Sequence, residues 1–503
     1  MKTPVKLLSH KPKVLVIGGS FSGLATVRHL KQFADVTLVE PKDYFEYTPG
    51  VLHLLAGSNA VNDLVASIDE VAQGSKHIRG FFEGVKPSSR VAVVRSLDGV
   101  TRQQIDYDVL VICTGVSYMH PIRPSIDNLG KQSRFDEIRD FKEKVRIANN
   151  VVILGGGLVG VEMAAEIAHR CRFSNVPNVT LISRSQLLGA MPSNAGRYAY
   201  SWLRRRGVEI LLEDTLSSIS PAPAASKAKL YRENLHTSKG ATICDVDLII
   251  DCSNNRMSPL WNAEGLINEN KVNCGRKSED TENDADSVIW PFNDAGLVEV
   301  NEHLQTLWND RIFAAGDVIE LTFGVGSAVT TTSSGPYGKK TNRPSVRNAH
   351  LAESQAELVA TNIKKLVTLT NHSSTSSLLK YPSDVFYGAQ HAPLLACVSL
   401  GPNNGIIIFN DLVLGGFFFG VLGGFVKYVI ERSKMAEIKQ KKWGRAFWAL
   451  GHVVVNSIHS FWDKLKSVSQ KRDRIFGKAM LVTTMGILIA VTVRSMNMKW
   501  LIN

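Results

Sequence analysis

Two glycine-rich stretches decide the fold, Gly18-Gly-Ser-Phe-Ser-Gly23 and Gly155-Gly-Gly-Leu-Val-Gly160. The first follows the apolar run Lys13-Val-Leu-Val-Ile17 and precedes the amphipathic run 24–33, after which a second apolar run ends in the acid Glu40. This order of strand, glycine loop, helix and acid-terminated strand is typical of the βαβ unit that binds a dinucleotide. The sequence therefore predicts such a unit near the N-terminus.

The residue types of this first loop suit a diphosphate. Glycines allow a tight turn and close approach of the phosphates, and the N-terminus of the following helix offers amide groups and the positive end of its dipole. An acid at the end of the second strand accepts a hydrogen bond from a ribose 2′-hydroxyl. Ser20 replaces the usual second glycine and leaves the diphosphate less clearance. The residues predicted to hold this nucleotide are Gly18, Gly19, Ser20, Phe21, Ser22, Gly23, Glu40 and Lys42.

The same pattern recurs 137 residues further along the chain. The apolar run Val151–Leu154 leads into the second glycine loop, and a helical stretch, 161–168, and an apolar strand, 179–182, follow it. One such loop alone is a weak signal, but two correctly framed copies predict two dinucleotide-binding domains. Two domains imply two nucleotides, most simply FAD and a nicotinamide coenzyme. The predicted contacts in the second loop are Gly155, Gly157 and Gly160.

The second unit lacks the acid that ends the first. Its second strand runs into Ser183 and Arg184. An acid would repel a 2′-phosphate, whereas a serine and an arginine can accept one. We therefore expect NADPH to be used at least as well as NADH. In the alternative interpretation, Arg184 is only a solvated surface residue.

These motifs give the chain a family resemblance. It resembles the flavoproteins with two dinucleotide folds, and among them the type II NADH dehydrogenases and the apoptosis-inducing-factor-like/ferroptosis-suppressor oxidoreductases. The likeness covers roughly residues 11–365. Besides the two glycine loops, the stretches that carry it are Asp43–Pro49, Asp108–Gly115, Arg311–Asp317 and Arg347–Gln355.

The resemblance implies roles for single residues. It places Asp317, with Gly316, on the ribityl chain of FAD, and it makes Thr114 and Gly115 the turn that brings the chain back past the flavin domain. It also implies that hydride passes from the nicotinamide to the flavin and that the electrons then leave to an acceptor.

Two residues are candidate catalytic groups. Glu162, two positions after the second loop, is a candidate for holding the nicotinamide side; alternatively it is an ordinary first-turn acid favoured by the helix dipole. Gln355, together with His350, is a candidate for the acceptor pocket, although lone polar residues on a helix are often structural.

Cysteine usage excludes several chemistries. The six cysteines show no CxxC or CxxxxC spacing, which argues against a metal centre, the disulfide-reductase branch and sulfide oxidation. From the short basic N-terminus we expect no cleavable presequence.

The charge of the chain is concentrated at one end. The chain has 503 residues and a net charge of +12; residues 427–503 contain 15 Lys/Arg and 4 Asp/Glu and so carry +11. A nearly neutral body does not fit a protein that binds polyanions through its whole surface, and 44% hydrophobic residues exclude a disordered chain.

The basic segment also has the aromatic content of a membrane-facing element. Basic residues between 439 and 466 interleave with Trp443, Phe447, Trp448, Phe461 and Trp462, a composition that suits the headgroup region of a bilayer. The uncharged run 479–493 is shorter than the roughly 20 residues of a transmembrane helix, so it either spans marginally or lies in the interface. The alternatives for the segment are nucleic-acid binding, which we do not expect, and a buried amphipathic helix pair.

Together these observations predict an α/β protein with two Rossmann-like, three-layer dinucleotide-binding domains and a C-terminal membrane-associating α extension. The expected function is an FAD-dependent NAD(P)H:quinone oxidoreductase, a non-proton-pumping dehydrogenase on a mitochondrial or other intracellular membrane, with its body facing the cytosol. The alternative is an apoptosis-inducing-factor-like, redox-sensing interaction protein with slow NAD(P)H oxidase activity; either would be compatible with a homodimer. The expected segments are 11–118 and 295–380 for FAD, 119–260 for NAD(P)H, 381–426 as a β/α segment near the acceptor, and 427–503 as the membrane-anchoring tail.

Overall fold

A computed structural model describes most of the chain. The described residues are 10–56, 61–125, 128–170, 177–221, 233–253, 256–257, 288, 291–293, 296–322, 347–368, 377–386 and 392–452.

The strands of the described residues, in chain order, are β1 Lys13–Ile17, β2 Asp35–Val39, β3 Tyr44–Glu46, β4 Val65–Ser67, β5 Lys76–Ile78, β6 Gly80–Lys86, β7 Val91–Ser96, β8 Arg102–Asp106, β9 Val109–Ile112, β10 Val116–Ser117, β11 Asn150–Leu154, β12 Asn178–Ser183, β13 Glu209–Leu212, β14 Leu216–Pro221, β15 Glu233–Thr237, β16 Thr242–Val246, β17 Leu248–Asp251, β18 Arg256–Met257, β19 Val298–Val300, β20 Gln305–Thr306, β21 Asn309–Ala314, β22 Ile319–Leu321, β23 Leu395–Ser399, β24 Gly405–Phe409 and β25 Leu412–Leu414.

The helices are α1 Phe21–Leu30, α2 Val51–Leu55, α3 Val61–Leu64, α4 Ile68–Val71, α5 Lys131–Ile147, α6 Leu158–Arg170, α7 Ser193–Arg204, α8 Ala349–Thr368 and α9 Phe417–Ile438, with a 3₁₀ turn at Thr48–Gly50. A further helical stretch runs over 442–452.

The first glycine loop belongs to an eight-stranded sheet. Its strand order is β22-β19-β20-β21-β9-β1-β2-β5, so the chain leaves the sheet after β9 and returns to it at β19. β1, β2, β9 and β21 pair in parallel. β9 is buried throughout, β1 is buried after its first residue, and β21 is buried over its last three residues, as expected where helices cover both faces of a parallel sheet. On one face, α1 packs against α8.

The second glycine loop belongs to a separate four-stranded sheet. Its order is β13-β12-β11-β17, and every pairing is parallel. α6 packs against β11, β12 and α7, and a three-stranded antiparallel sheet, β14-β15-β16, stands beside it. The prediction of a mixed α/β protein with two Rossmann-like units is confirmed.

The C-terminal part of the described chain is built into the body. β23, β24 and β25 form an antiparallel sheet against which α9 packs. The boundary expected at residue 427 falls in the middle of α9. Lys427, Arg432 and Lys434, counted with the basic tail, form ion pairs with Glu162, Asp63 and Glu353 respectively, so these cations stabilise the body.

The predicted membrane-associating extension is described only as far as residue 452. Over the described ranges, no helix is both long enough and apolar enough to cross a membrane. The uncharged run 479–493 and the aromatic pair Phe461 and Trp462 lie outside the described residues.

Candidate functional site

The first glycine loop is closed tightly at the carboxyl end of β1. Gly18 has a φ of +103°, and a Cβ there would lie 2.4 Å from the carbonyl oxygen of Cys113. A Cβ on Gly23 would lie 1.8 Å from the carbonyl oxygen of Gly18. Both positions therefore require glycine, because any side chain would push the loop away from the strand ends.

Glu40 lies beside this loop, as the sequence predicts. Its Oε2 accepts a hydrogen bond of 2.6 Å from the amide of Gly19, and its Oε1 accepts one of 3.2 Å from the amide of Lys42. The Lys42 ammonium is 3.6 Å from the same carboxylate. A carboxylate has about four acceptor positions, so the group is held in place and still has capacity for a ribose hydroxyl.

Three further observations fit FAD to this edge of the sheet. The hydroxyl oxygen of Thr114 is buried and has no hydrogen-bond partner among the described residues. Burial raises the pKa of Asp317, while the cations Arg347 and Arg123 act to lower it. A Cβ on Gly316 would lie 2.6 Å from the hydroxyl of Ser22, so the Gly316 turn lies directly on the first helix. Acceptors, a free hydroxyl and nearby cations suit a ribityl–diphosphate chain.

The second loop repeats the first with one difference. A Cβ on Gly160 would lie 1.8 Å from the carbonyl oxygen of Gly155, matching the relation of Gly23 to Gly18. Gly157 faces open space, with nothing within 4 Å of an added Cβ. At the equivalent position of the first loop stands the half-buried Ser20. The second loop therefore leaves more room for a diphosphate.

Ser183 occupies the place in the second unit that Glu40 has in the first. It is buried, and its hydroxyl would lie 2.3 Å from a Cβ added to Gly156. Arg184, the next residue, is exposed. The end of β12 thus carries a buried hydroxyl followed by an exposed arginine.

Glu162 is tied to the C-terminal segment. Its Oε1 accepts a hydrogen bond of 2.7 Å from the amide of Ser399 and one of 2.6 Å from the ammonium of Lys427. The negative charge of Glu162 raises the pKa of Lys427 against the opposing effect of burial. The carboxylate therefore lies where the start of α6 meets β23 and α9, with a fixed orientation. Sequence reasoning missed its partner, because Lys427 was counted as a tail charge.

Gln355 and His350 have different surroundings although both lie on α8. The side-chain oxygen of Gln355 accepts a hydrogen bond of 2.8 Å from the amide of Gly316, so this residue fixes the turn that carries Asp317. The ring of His350 lies 4.9 Å from that of His452. Burial lowers the pKa of His350 to about 3, which keeps its imidazole neutral.

Sequence reasoning also missed a set of buried polar contacts around these helices. His53 on α2 lies 2.8 Å from Glu166 on α6, one helical turn beyond Glu162. Arg134 is fully buried and pairs with Glu46 and Glu137. The local signals were the i,i+4 spacing of the two α6 acids and the i,i+3 spacing of Arg134 and Glu137 on α5, whereas His53 and Glu46 are far from their partners in the chain.

The described cysteines are unpaired thiols, namely Cys113, Cys244, Cys252 and Cys397. Burial raises the pKa of Cys113 and of Cys397 to about 12. Thiols with such values are poor nucleophiles at neutral pH.

Comparison with known proteins finds relatives that match between 65% and 82% of this chain. Apoptosis-inducing factor homolog B of Dictyostelium discoideum is 24% identical over 82% of this chain and 93% of its own. Ferroptosis suppressor protein 1 of Xenopus tropicalis is 23% identical over 81% and 91% of the two chains. Demethylphylloquinone reductase NdbB of Synechocystis is 23% identical over 65% and 76%.

Solved structures share the fold at low identity. NDH2 of Plasmodium falciparum in complex with NADH superposes with a TM-score of 0.60 and 14% identity, covering 87% of this chain and 99% of that one. Residues 12–356 match the family described as pyridine nucleotide-disulphide oxidoreductase, a span that holds both glycine loops, Asp317 and Gln355. This chain belongs to the pyridine nucleotide-disulphide oxidoreductase family.

Proposed function

We propose that this protein is an FAD-dependent NAD(P)H:quinone oxidoreductase. The observation that carries the proposal is the pair of dinucleotide-binding units. In each unit the last glycine of the loop lies so close to the carbonyl oxygen of the first that no side chain fits there. Two relatives support a quinone as acceptor, namely demethylphylloquinone reductase NdbB of Synechocystis and the alternative NAD(P)H-ubiquinone oxidoreductase C1 of Arabidopsis thaliana. Bound FAD supplies the two-electron chemistry that links a hydride donor to such an acceptor.

The chain's own residues bind and orient the two coenzymes. We assign 11–118 and 295–380 to the FAD part and 119–260 to the NAD(P)H part. Gly316, Asp317, Thr114 and Gly115 line the flavin side, and Gln355 keeps the Gly316 amide in place.

Glu162 is the residue we assign to the nicotinamide side. Its orientation is fixed by Ser399 and Lys427, so it presents a preset group instead of a mobile acid. A preset polar group needs no reorganisation when the substrate binds.

The exposed face of the last described helix supports attachment to a membrane surface. Trp443 and Leu450 are 41% and 50% exposed, and Ala446 and the half-buried Phe447 share their face. Lys441, Lys442 and Arg445 are exposed beside them. Apolar side chains flanked by cations suit an anionic lipid interface. We place the protein on an intracellular membrane with its body in the cytosol. This placement is compatible with a homodimer.

A surface variant tests this attachment together with quinone turnover. The double variant Trp443→Ser/Leu450→Ser should reduce binding to anionic liposomes and turnover of a liposome-held long-chain quinone by at least about tenfold. Each side chain is about half exposed, so the bilayer covers about half of a large apolar side chain, and the two residues together contribute about 1.5–3 kcal/mol. Reduction of a soluble dye should stay unchanged, because both residues lie outside the coenzyme sites. Long-chain quinone turnover equal to that of the parent protein would contradict the attachment through this face.

Coenzyme choice gives a second test. We expect kcat/KM for NADPH to equal or exceed that for NADH, because Ser183 and Arg184 replace the acid that repels a 2′-phosphate. Arg184→Ala should lower kcat/KM for NADPH by about tenfold or more, the effect of one charge-assisted hydrogen bond, and leave NADH unaffected. A strong preference of the parent protein for NADH would contradict this assignment.

The alternative function is a redox-sensing interaction protein. It is favoured by the apoptosis-inducing factor homologs A and B of Dictyostelium discoideum, which match this chain over 88% and 93% of their lengths. It requires slow oxidation by every quinone and a change of molecular size on binding NAD(P)H, which size-exclusion chromatography with multi-angle scattering measures.

A further inference from the structure

Arg123 is an arginine beside the Thr114-Gly115 turn, and among the described residues only some of its donor groups have hydrogen-bond partners. Its Nη1 donates a hydrogen bond of 2.9 Å to the hydroxyl of Thr48, and its Nη2 donates one of 3.4 Å to the carbonyl of Val116. Its Nε is buried and has no hydrogen-bond partner within the described ranges. An arginine has five N–H donors in a rigid plane, so fixing the two terminal nitrogens also fixes the direction of Nε–H.

The groups around Arg123 come from three separate parts of the FAD unit. Thr48 follows β3, and Val116 follows the Thr114-Gly115 turn. The positive charge of Arg123 also acts to lower the pKa of Asp317, three residues after β21. Arg123 therefore joins the segment after β3 to the turn that carries the free Thr114 hydroxyl.

The backbone next to Arg123 is fixed by a second, buried arginine. Nη2 of the buried Arg134 on α5 donates a hydrogen bond of 3.3 Å to the carbonyl of Ile122, the residue before Arg123. The same guanidinium is fixed by Glu46, with Nε 2.9 Å from Oε1, and by Glu137. The backbone at Arg123 is thus fixed by hydrogen bonds, as expected for a residue whose N–H must point in one direction to bind a ligand.

An unpartnered buried donor has an energetic cost. Leaving such a group without an acceptor costs about 1–3 kcal/mol, so a ligand acceptor at that position adds to binding. The ribityl hydroxyls and the diphosphate of FAD provide acceptor oxygens, and a positive charge suits the diphosphate.

We propose that Arg123 is an FAD-binding residue, which donates its Nε–H to an oxygen of the ribityl–diphosphate chain. This inference depends on FAD as the cofactor and not on quinone as the acceptor. The first glycine loop is assigned to the diphosphate and Glu40 to the ribose, and Arg123 adds a charged contact beside the Thr114-Gly115 turn.

Affinity for FAD tests the proposal directly. The Kd for FAD, measured by quenching of flavin fluorescence as the apoprotein is titrated, should rise about 10- to 100-fold in Arg123→Gln, the effect of one hydrogen bond to a charged group. Arg123→Lys retains the charge but lacks Nε, so its Kd should rise about fivefold or more. Arg139→Gln is the matched control on α5, because Arg139 is 72% exposed and pairs only with Asp136 in the described residues; its Kd should not change.

A structural role for Arg123 gives a different result. If the arginine only ties Thr48 to Val116, Arg123→Gln lowers the melting temperature of the apoprotein but binds FAD within about twofold of the parent, and that result would overturn the proposal. If Arg123→Gln does not fold, Arg123→Lys decides, and an unchanged Kd in that variant overturns the proposal equally. Each assay contains no electron acceptor, so failure of the quinone assignment leaves this test intact.

Discussion

Gly23→Ala is expected to give a protein that is purified with less than about a tenth of the parent's FAD. The added Cβ would lie 1.8 Å from the carbonyl oxygen of Gly18, far inside the separation of non-bonded atoms, so the loop or α1 must move by more than about 1 Å. Either movement displaces the helix amides that receive the diphosphate. The ratio of flavin absorbance at 450 nm to protein absorbance measures the loss.

Two other glycines provide the controls. Gly160→Ala makes the same 1.8 Å approach in the second loop, so it should retain FAD but lose reduction by NAD(P)H. Gly451→Ala meets nothing within 4 Å and should retain both. FAD content in Gly23→Ala equal to that of Gly451→Ala would show that the first loop does not bind the flavin.

Lys427→Met is expected to lower the free energy of unfolding by about 3 kcal/mol, because breaking a buried ion pair leaves the other charge without its partner. The Lys427 and Glu162 side chains are only 12% and 11% exposed, and their charged atoms are 2.6 Å apart. The pair joins α6 to α9, so its loss should also disturb the nicotinamide side. The melting temperature of the FAD-bound protein should fall by about 3 °C, because the entropy of unfolding of a chain of 503 residues is about 1 kcal/mol/K.

The double variant Glu162→Gln/Lys427→Met separates charge from packing. It removes both charges and should recover most of the lost stability, while the amide retains an acceptor for the Ser399 amide. Reduction by NAD(P)H should stay impaired in this variant if Glu162 acts on the nicotinamide side. Equal stability of Lys427→Met and the parent would contradict the buried pair.

The two dinucleotide units were predictable because their signals are local. An apolar strand, the glycines and a terminal acid lie within about 30 residues of each other, and the structure places Glu40 against the first loop, as predicted. Ser183 and Gly155 follow from the same rule.

The polar contacts that support the site were not predictable in this way. Lys427 and Glu162 lie 265 positions apart, and nothing in a local pattern pairs them. Counting charge by segment therefore assigned Lys427 and Lys434 to a membrane tail, whereas burial and ion pairing bind them to the body. Charge composition does not distinguish a solvated cation from one that neutralises a buried acid.

Anaerobic stopped-flow spectroscopy of the FAD-bound protein tests the central proposal most directly. The flavin is first reduced with NADPH and then mixed with either a long-chain quinone in liposomes or buffer alone. We predict that flavin absorbance returns with the quinone at a rate at least equal to kcat, and that it stays bleached in buffer. A flavin that stays reduced with every quinone tested, while NADPH changes the size of the protein, would contradict the oxidoreductase and favour the interaction protein.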